Sequence, residues 1–179
     1  MNDQGDDVFL QVARLLVSYD PESGFFTWAT DRSGFAMKGE RAGSLLKSGY
    51  VSIMVAGRKM KAHQLAYLMM TGKMPEKGQC IDHIDMCRSN NAWKNLRLCT
   101  PAQNSQNTAK RKTNSSGFLG VSRNRGKWRA TITKDGKQIH LGNFDTPEEA
   151  SMAYTARKQE IHPFSDPSHK ACTPSSITS

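Results

Sequence analysis

The sequence is short of several things, and each shortage narrows what the chain can be. No apolar run approaches the ~18 residues that a membrane-spanning helix needs. The first residues, MNDQGDD, are acidic and polar, unlike the basic and then apolar start of a secretory signal. There are only four cysteines, Cys80, Cys87, Cys99 and Cys172, and none forms a CxxC pair, which argues against a zinc knuckle. Free thiols, buried as small apolar side chains in an intracellular protein, are the default expectation. Apolar residues make up 37% of 179, a content better suited to two small cores than to one large one. Acidic residues are scarce where basic ones are dense: between Lys110 and Lys137 nine Lys or Arg stand against Asp135 alone. The chain carries a formal charge of +9 and a pI near 9.6. Residues 1–107 hold 13 basic and 10 acidic side chains, and residues 108–179 hold 12 and 6. A balance of this kind favours a polyanion partner, above all nucleic acid, with the C-terminal part the stronger phosphate attractor.

Local patterns predict mixed α and β structure. Residues 8–17 fit a short helix, and FFTW at 25–28 a strand. Residues 50–55 read as a strand entering a tight turn at Ala56-Gly57-Arg58, with 59–62 returning. HQLAYLMM, 63–70, places Leu65, Leu68 and Met69 on one helical face before Gly72. Two helix starts are explicit: Thr100-Pro101-Ala102-Gln103 and Thr146-Pro147-Glu148-Glu149 each set a capping Thr before Pro, with Gln or Glu placed to reach back. Helices are therefore expected at about 101–109 and 147–161. Residues 108–116 read as a basic linker and 168–179 as a disordered tail.

The stretch IDHIDMCRSNNAWKNLRLCTPAQNSQN, 81–107, is the richest in chemistry. Two short strands, 81–84 and 95–99, would be followed by the helix from Pro101. That order brings the helix start beside the first strand, so Asp82 and Asn104 can share one cation through oxygen atoms. An all-oxygen pair favours a hard ion over zinc. This string, with YDPESGFFTW, Gly49-Tyr50 and AHQLAYLMMTGKMP upstream, resembles the HNH or ββα-metal nuclease family, particularly the phage homing endonucleases, over residues 18–107. The resemblance implies an α+β fold and a hydrolase cutting DNA in the cytoplasm of a prokaryotic or phage-infected cell. By the same resemblance His83 is the general base, Asn95 hydrogen-bonds and orients its imidazole, and Asp82 and Asn104 hold Mg²⁺ or Mn²⁺. The products would carry 5′-phosphate and 3′-hydroxyl ends. Many relatives end the motif with His, whereas this chain has Asn104. His63, at the start of an apolar helix, is expected to make a structural hydrogen bond, and Arg97 to meet either a phosphate or an ion-pair partner.

A second pattern covers 117–167. In WRATIT, Trp128, Ala130 and Ile132 share one face while Arg129, Thr131 and Thr133 share the other. Lys134–Lys137 turn the chain, QIHLGNF returns with Ile139 and Leu141 inward, and a helix with Ala150, Ala153, Tyr154 and Arg157 covers a three-stranded sheet. The string GV…WxAxI…LGxFxTxEEA…AY resembles the APETALA/ethylene-response-factor DNA-binding domain. The resemblance implies a sheet laid in the major groove. The exposed face would carry Ser122, Asn124, Arg125, Arg129, Thr131, Thr133 and His140, with phosphate contacts from Arg123 and Lys127 and from Lys110, Arg111 and Lys112 of the linker.

Together these features predict a metal-dependent endonuclease anchored on double-stranded DNA by its C-terminal domain. One active site per chain is compatible with a nicking monomer or with a homodimer cutting both strands. The rival reading is a DNA-binding regulator whose nuclease domain is degenerate, and a third is a defence nuclease with the same chemistry.

Overall fold

The structure, a computed structural model, describes residues 3–32, 36–106, 116–134 and 136–162. The expected linker residues Lys110, Arg111 and Lys112, and the expected tail, lie outside the described residues. The fold is α+β, and the chain divides into two compact units, one ending at Cys99 and the other beginning at Thr100. The helix following Thr100 is short and buries none of its described side chains fully.

In the first unit, α1 (Asp3–Leu16) leads directly into β1 (Val17–Tyr19), which pairs antiparallel with β2 (Phe26–Trp28). A three-stranded antiparallel sheet follows, from β3 (Ser44–Leu45), β4 (Val51–Val55) and β5 (Arg58–Lys61). The β4–β5 hairpin closes through Ala56 and Gly57, both at positive φ (48° and 73°), the two-residue turn whose twist matches its flanking strands. Next come α2 (Ala62–Thr71), capped by Gly72 in the left-handed conformation, then β6 (Cys80–His83) and β7 (Leu96–Cys99), paired antiparallel. Phe9, Leu10 and Ala13 of α1, Phe26 and Trp28 of β2, Ile53 and Val55 of β4, and Leu65 and Leu68 of α2 form one apolar cluster that also takes in Leu96 of β7. That shared core anchors the strand pair on which Asp82 and His83 stand. Cys80 and Cys99 face each other across it as free thiols, with sulfurs 3.2 Å apart. Cys87 departs from the expectation of free thiols, being disulfide-bonded.

The second unit opens with α3 (Pro101–Gln106). Its capping box is complete: Thr100 Oγ1 accepts from the Gln103 amide at 3.2 Å, and Gln103 Oε1 accepts from the Thr100 amide at 2.8 Å. Strands β8 (Val121–Asn124), β9 (Lys127–Lys134) and β10 (Lys137–Phe144) form an antiparallel sheet in the order β10-β9-β8, and α4 (Pro147–Ile161) packs on it. Only the Thr half of the expected box forms at α4, where Thr146 accepts from the Glu149 amide at 3.3 Å. The core is small: Val121, Ala130, Ile132 and Ala150 are buried, with Phe118, Trp128, Leu141 and Phe144 packed around the cluster of Val121, Ala130 and Ala150. Gly120 is required at its place, since a Cβ there would overlap the ring of Tyr154. Among the described residues no helix is long and apolar enough to cross a membrane.

Candidate active site and nucleic-acid interface

His83 ends β6, only 4% exposed. Burial lowers its pKa, and the charge of Arg88 lowers it further; the Asn91 hydrogen bond and the carboxylates of Asp85 and Asp82 act in the opposite direction. The net downward shift keeps the imidazole neutral near pH 7, the form a general base needs. Its Nε2 lies 3.2 Å from Oδ1 of Asn91. A carbonyl oxygen can only accept, so Nε2 carries the proton and Nδ1 is the proton-accepting nitrogen of the neutral ring.

The partner of the imidazole is thus Asn91, and the expected bond from Asn95 is corrected. The Asn95 amide is spent inside the loop: Nδ2 donates to Asp85 Oδ1 (2.9 Å) and to the Asn90 carbonyl (2.8 Å), and Oδ1 accepts from the Asp85 amide (3.0 Å). Asp85 also accepts from the Cys87 amide at 2.8 Å and from Asn90 Nδ2 at 2.6 Å. Asp85, Asn90 and Asn95 therefore lock the turn between β6 and β7, and that turn presents Asn91 to His83.

The loop is also braced from far upstream. Tyr19 donates its hydroxyl to the Asn91 carbonyl at 2.7 Å, and the Trp93 amide donates to the Pro21 carbonyl at 2.8 Å. Gly24, at φ 75°, lies so close to the Asn91–Ala92 peptide that a Cβ would overlap it. The YDPESG segment, part of the resemblance drawn from sequence, is the buttress that fixes the Asn91 backbone.

Asp82 is buried beside His83, and Arg97 on the paired strand grips its Oδ2 at 2.9 and 3.2 Å. Of the two alternatives for Arg97, the ion pair is the one that forms. A carboxylate this buried needs its charge balanced, and Arg97 does so. Asn104 stands exposed on α3, in the second unit. Among the described residues no three His, Cys, Asp or Glu side chains gather as metal ligands. A sparse set with one hard carboxylate oxygen fits Mg²⁺, which binds through one or two carboxylates plus substrate phosphate and keeps several waters.

His63 differs from expectation. It is 5% exposed, and its Nδ1 has no hydrogen-bond partner among the described residues. It packs edge-on against the His83 ring instead, with centroids 5.0 Å apart. Burial first, then the charges of His83 and Lys61, push its pKa down to about 3, so it stays neutral. Tyr50 completes the group, its ring 5.2 Å from His63 and 6.0 Å from His83.

A model of the HNH endonuclease family matches residues 60–106, the span from β5 through β6 and β7 to α3. Protein 3.8 of Escherichia phage T7 is 38% identical over 104 residues, covering 57% of this chain and 84% of that protein. The chain carries an HNH endonuclease domain over residues 60–106. An uncharacterized HNH endonuclease of Acanthamoeba polyphaga mimivirus is 36% identical over 116 residues, 64% of this chain and 59% of that one. The solved HNH homing endonuclease I-HmuI aligns with 75% of this chain and 74% of its own at 19% identity, with a TM-score of 0.38.

The second unit of this HNH protein presents a polar face opposite its core. Cross-strand pairing puts Ser122 opposite Arg129, Arg129 opposite Asn143, Thr131 opposite His140 and Thr133 opposite Gln138. Asn124, Arg125, Lys127, Arg129 and Asn143 line an open cleft of about 520 Å³. Arg123 is the exception among the expected residues: it pairs with Trp128 in the row facing the core, its guanidinium 5.3 Å from the indole. Lys127 is ion-paired with Asp145 at 3.1 Å. Asn143, which sequence reasoning missed, shares this face because of a bulge between His140 and Gly142.

Proposed function

We propose that the protein is a metal-dependent DNA endonuclease in which His83 is the general base. The observation that carries this reading is a buried His83 whose Nε2 is engaged by Asn91 beside the Asp82 carboxylate, within residues 60–106. His83 Nδ1 takes a proton from water as the oxygen attacks a scissile phosphate. Asn91 fixes the tautomer and stabilises the imidazolium that forms. Asn95 acts one step back, holding the loop that carries Asn91. Asp82 and Asn104 would hold Mg²⁺ or Mn²⁺. Such an ion, when bound, supplies charge stabilisation for the phosphate and the leaving 3′ oxygen. Arg97 fixes the direction of the Asp82 carboxylate through two hydrogen bonds to Oδ2. The expected ends are 5′-phosphate and 3′-hydroxyl.

The second unit is the anchor in this reading, resembling the APETALA/ethylene-response-factor domain and binding double-stranded DNA through Ser122, Asn124, Arg125, Arg129, Thr131, Thr133 and His140. Covalent linkage raises the local concentration of the nuclease unit at any DNA so bound. The test is supercoiled plasmid incubated with Mg²⁺. Wild type is expected to give relaxed circles, or linear DNA if two chains act together, with nicks that a DNA ligase reseals. Unchanged plasmid under Mg²⁺ and Mn²⁺, with DNA binding intact, would instead support a non-catalytic DNA-binding regulator.

A further inference from the structure

The first unit holds a second charged group beside the histidine pair. Lys61 Nζ lies 4.3 Å, and the Arg88 guanidinium carbon 5.0 Å, from the centroid of the same Tyr50 ring. That ring packs against both His63 and His83. Arg88 is pinned by donating from Nη1 to the Ser48 carbonyl at 2.9 Å, and its stem lies 3.8 Å from where a Gly49 Cβ would be. Both cations are solvent-exposed, yet both act on the site, since the charge of Arg88 is felt at His83 and that of Lys61 at His63. Neither is ion-paired among the described residues, whereas nearby Asp82 is taken by Arg97 and Asp85 by the β6–β7 loop.

Two like charges over one ring repel, and at an exposed site the ring quadrupole offsets that only weakly. A dianionic or monoanionic ligand between them relieves the repulsion outright. We propose that Lys61 and Arg88, held on Tyr50, form a phosphate seat that grips the DNA backbone at the scissile phosphate or at its immediate neighbour. Arg88 supplies a fixed fork for two phosphate oxygens, and Lys61 supplies a mobile point charge. Tyr50 sets the distance from the seat to His83, because one ring touches all four groups. The seat rests on the reading of His83 as the catalytic base.

The test is single-turnover nicking of supercoiled plasmid in Mg²⁺ by the full chain, at several salt concentrations, with folding followed by thermal melting. Arg88→Ala is expected to slow nicking about ten- to a hundredfold, the range for losing a charged donor aimed at a reacting phosphate, and Lys61→Ala by less. Arg88→Lys should recover part of the loss. The double variant should also lower the slope of log Kobs against log salt by about 0.9 for each phosphate no longer neutralised, a change that a purely structural role would not produce. His83→Ala is the control: it should slow nicking about a thousandfold and leave that slope intact. If His83→Ala is slowed as expected while Lys61→Ala/Arg88→Ala keeps wild-type rate and slope, the seat is wrong and the nuclease reading stands. If His83→Ala cuts like wild type, the underlying reading fails first. Should Arg88→Ala melt early, Arg88→Gln, which keeps a donor for the Ser48 carbonyl, gives the same comparison.

Discussion

The two units handle polar side chains in opposite ways. The first buries them: His63, Asp82, His83, Asn91 and Asn95 are all under 9% exposed. The second displays them on a sheet face over a small core in which Val121, Ala130, Ile132 and Ala150 are buried. Burial demands that each polar group be matched, which is why the β6–β7 loop is dense with side-chain hydrogen bonds. The result is a histidine held in one tautomer and one direction, as bond-breaking requires. An exposed face sacrifices that fixity for access, and Arg125, Arg129 and His140 can adjust to a ligand. A substitution among the buried polar groups of the first unit should therefore act through rate or stability, and one on the displayed sheet face of the second through binding.

The largest expected break is His83→Ala, which should lower the cutting rate by about a thousandfold, within the range for loss of a general base, while duplex binding by gel shift stays near wild type. If binding falls in proportion to cutting, the division of labour between the units is wrong. Gly24→Ala comes next. Its Cβ must displace the Asn91–Ala92 peptide, and positive φ adds strain, so a cost of about 3 kcal/mol or more is expected, seen as a lower melting temperature together with a slower rate. Alanine at Gly126, where the φ is also positive but no atom is close, should cost only about 1 kcal/mol. Comparing the two separates backbone strain from the buttress.

Acid should act on the first unit before the second. The folded pKa of His63 is depressed to about 3, so an unfolded chain with an ordinary histidine pKa near 6.5 binds more protons below that point. Stability is fully present above the unfolded value and falls with decreasing pH, by about 1.4 kcal/mol for each unit per histidine, until the folded pKa is reached. His83 shifts in the same direction and adds to the slope. Denaturant melts between pH 7 and 4 should show this fall, and His63→Leu should flatten it. An unchanged slope would mean that His63 is not buried as described.

Much of this was legible in sequence, and the misses share a cause. The helix starting at Pro147 and the β4–β5 hairpin follow from capping and turn chemistry spelled out within a few residues. Asp82 and His83 are adjacent on a strand whose register is local. Asn91 was hidden because Asn90, Asn91 and Asn95 all lie in one loop, and which amide reaches the imidazole depends on Tyr19 and Gly24, far upstream. His63 looked like an apolar helix start because its neighbour is His83, twenty residues on. Local pattern records which residues share a helix or strand face. It does not record which loop a distant turn braces.

Asn143 makes the same point on a smaller scale and gives the finest test of the contrast. Strict alternation from an inward Ile139 sends Leu141 and Asn143 inward too. The bulge between His140 and Gly142 shifts the phase, so Asn143 lands opposite Arg129 and Phe144 opposite Trp128 in the core. Asn124 Nδ2 then donates to Asn143 Oδ1 at 3.4 Å, at the edge of a cleft lined with three basic side chains. Arg129→Ala should weaken duplex binding and lower its salt slope by about 0.9 if the side chain meets one phosphate; Asn143→Ala should weaken binding less and leave the slope alone, as a neutral contact must. Neither should alter the cutting rate at saturating DNA. A loss of rate at saturation in either variant would show that the second unit does more than hold DNA, and the separation drawn between the buried and the displayed polar groups would have to be abandoned.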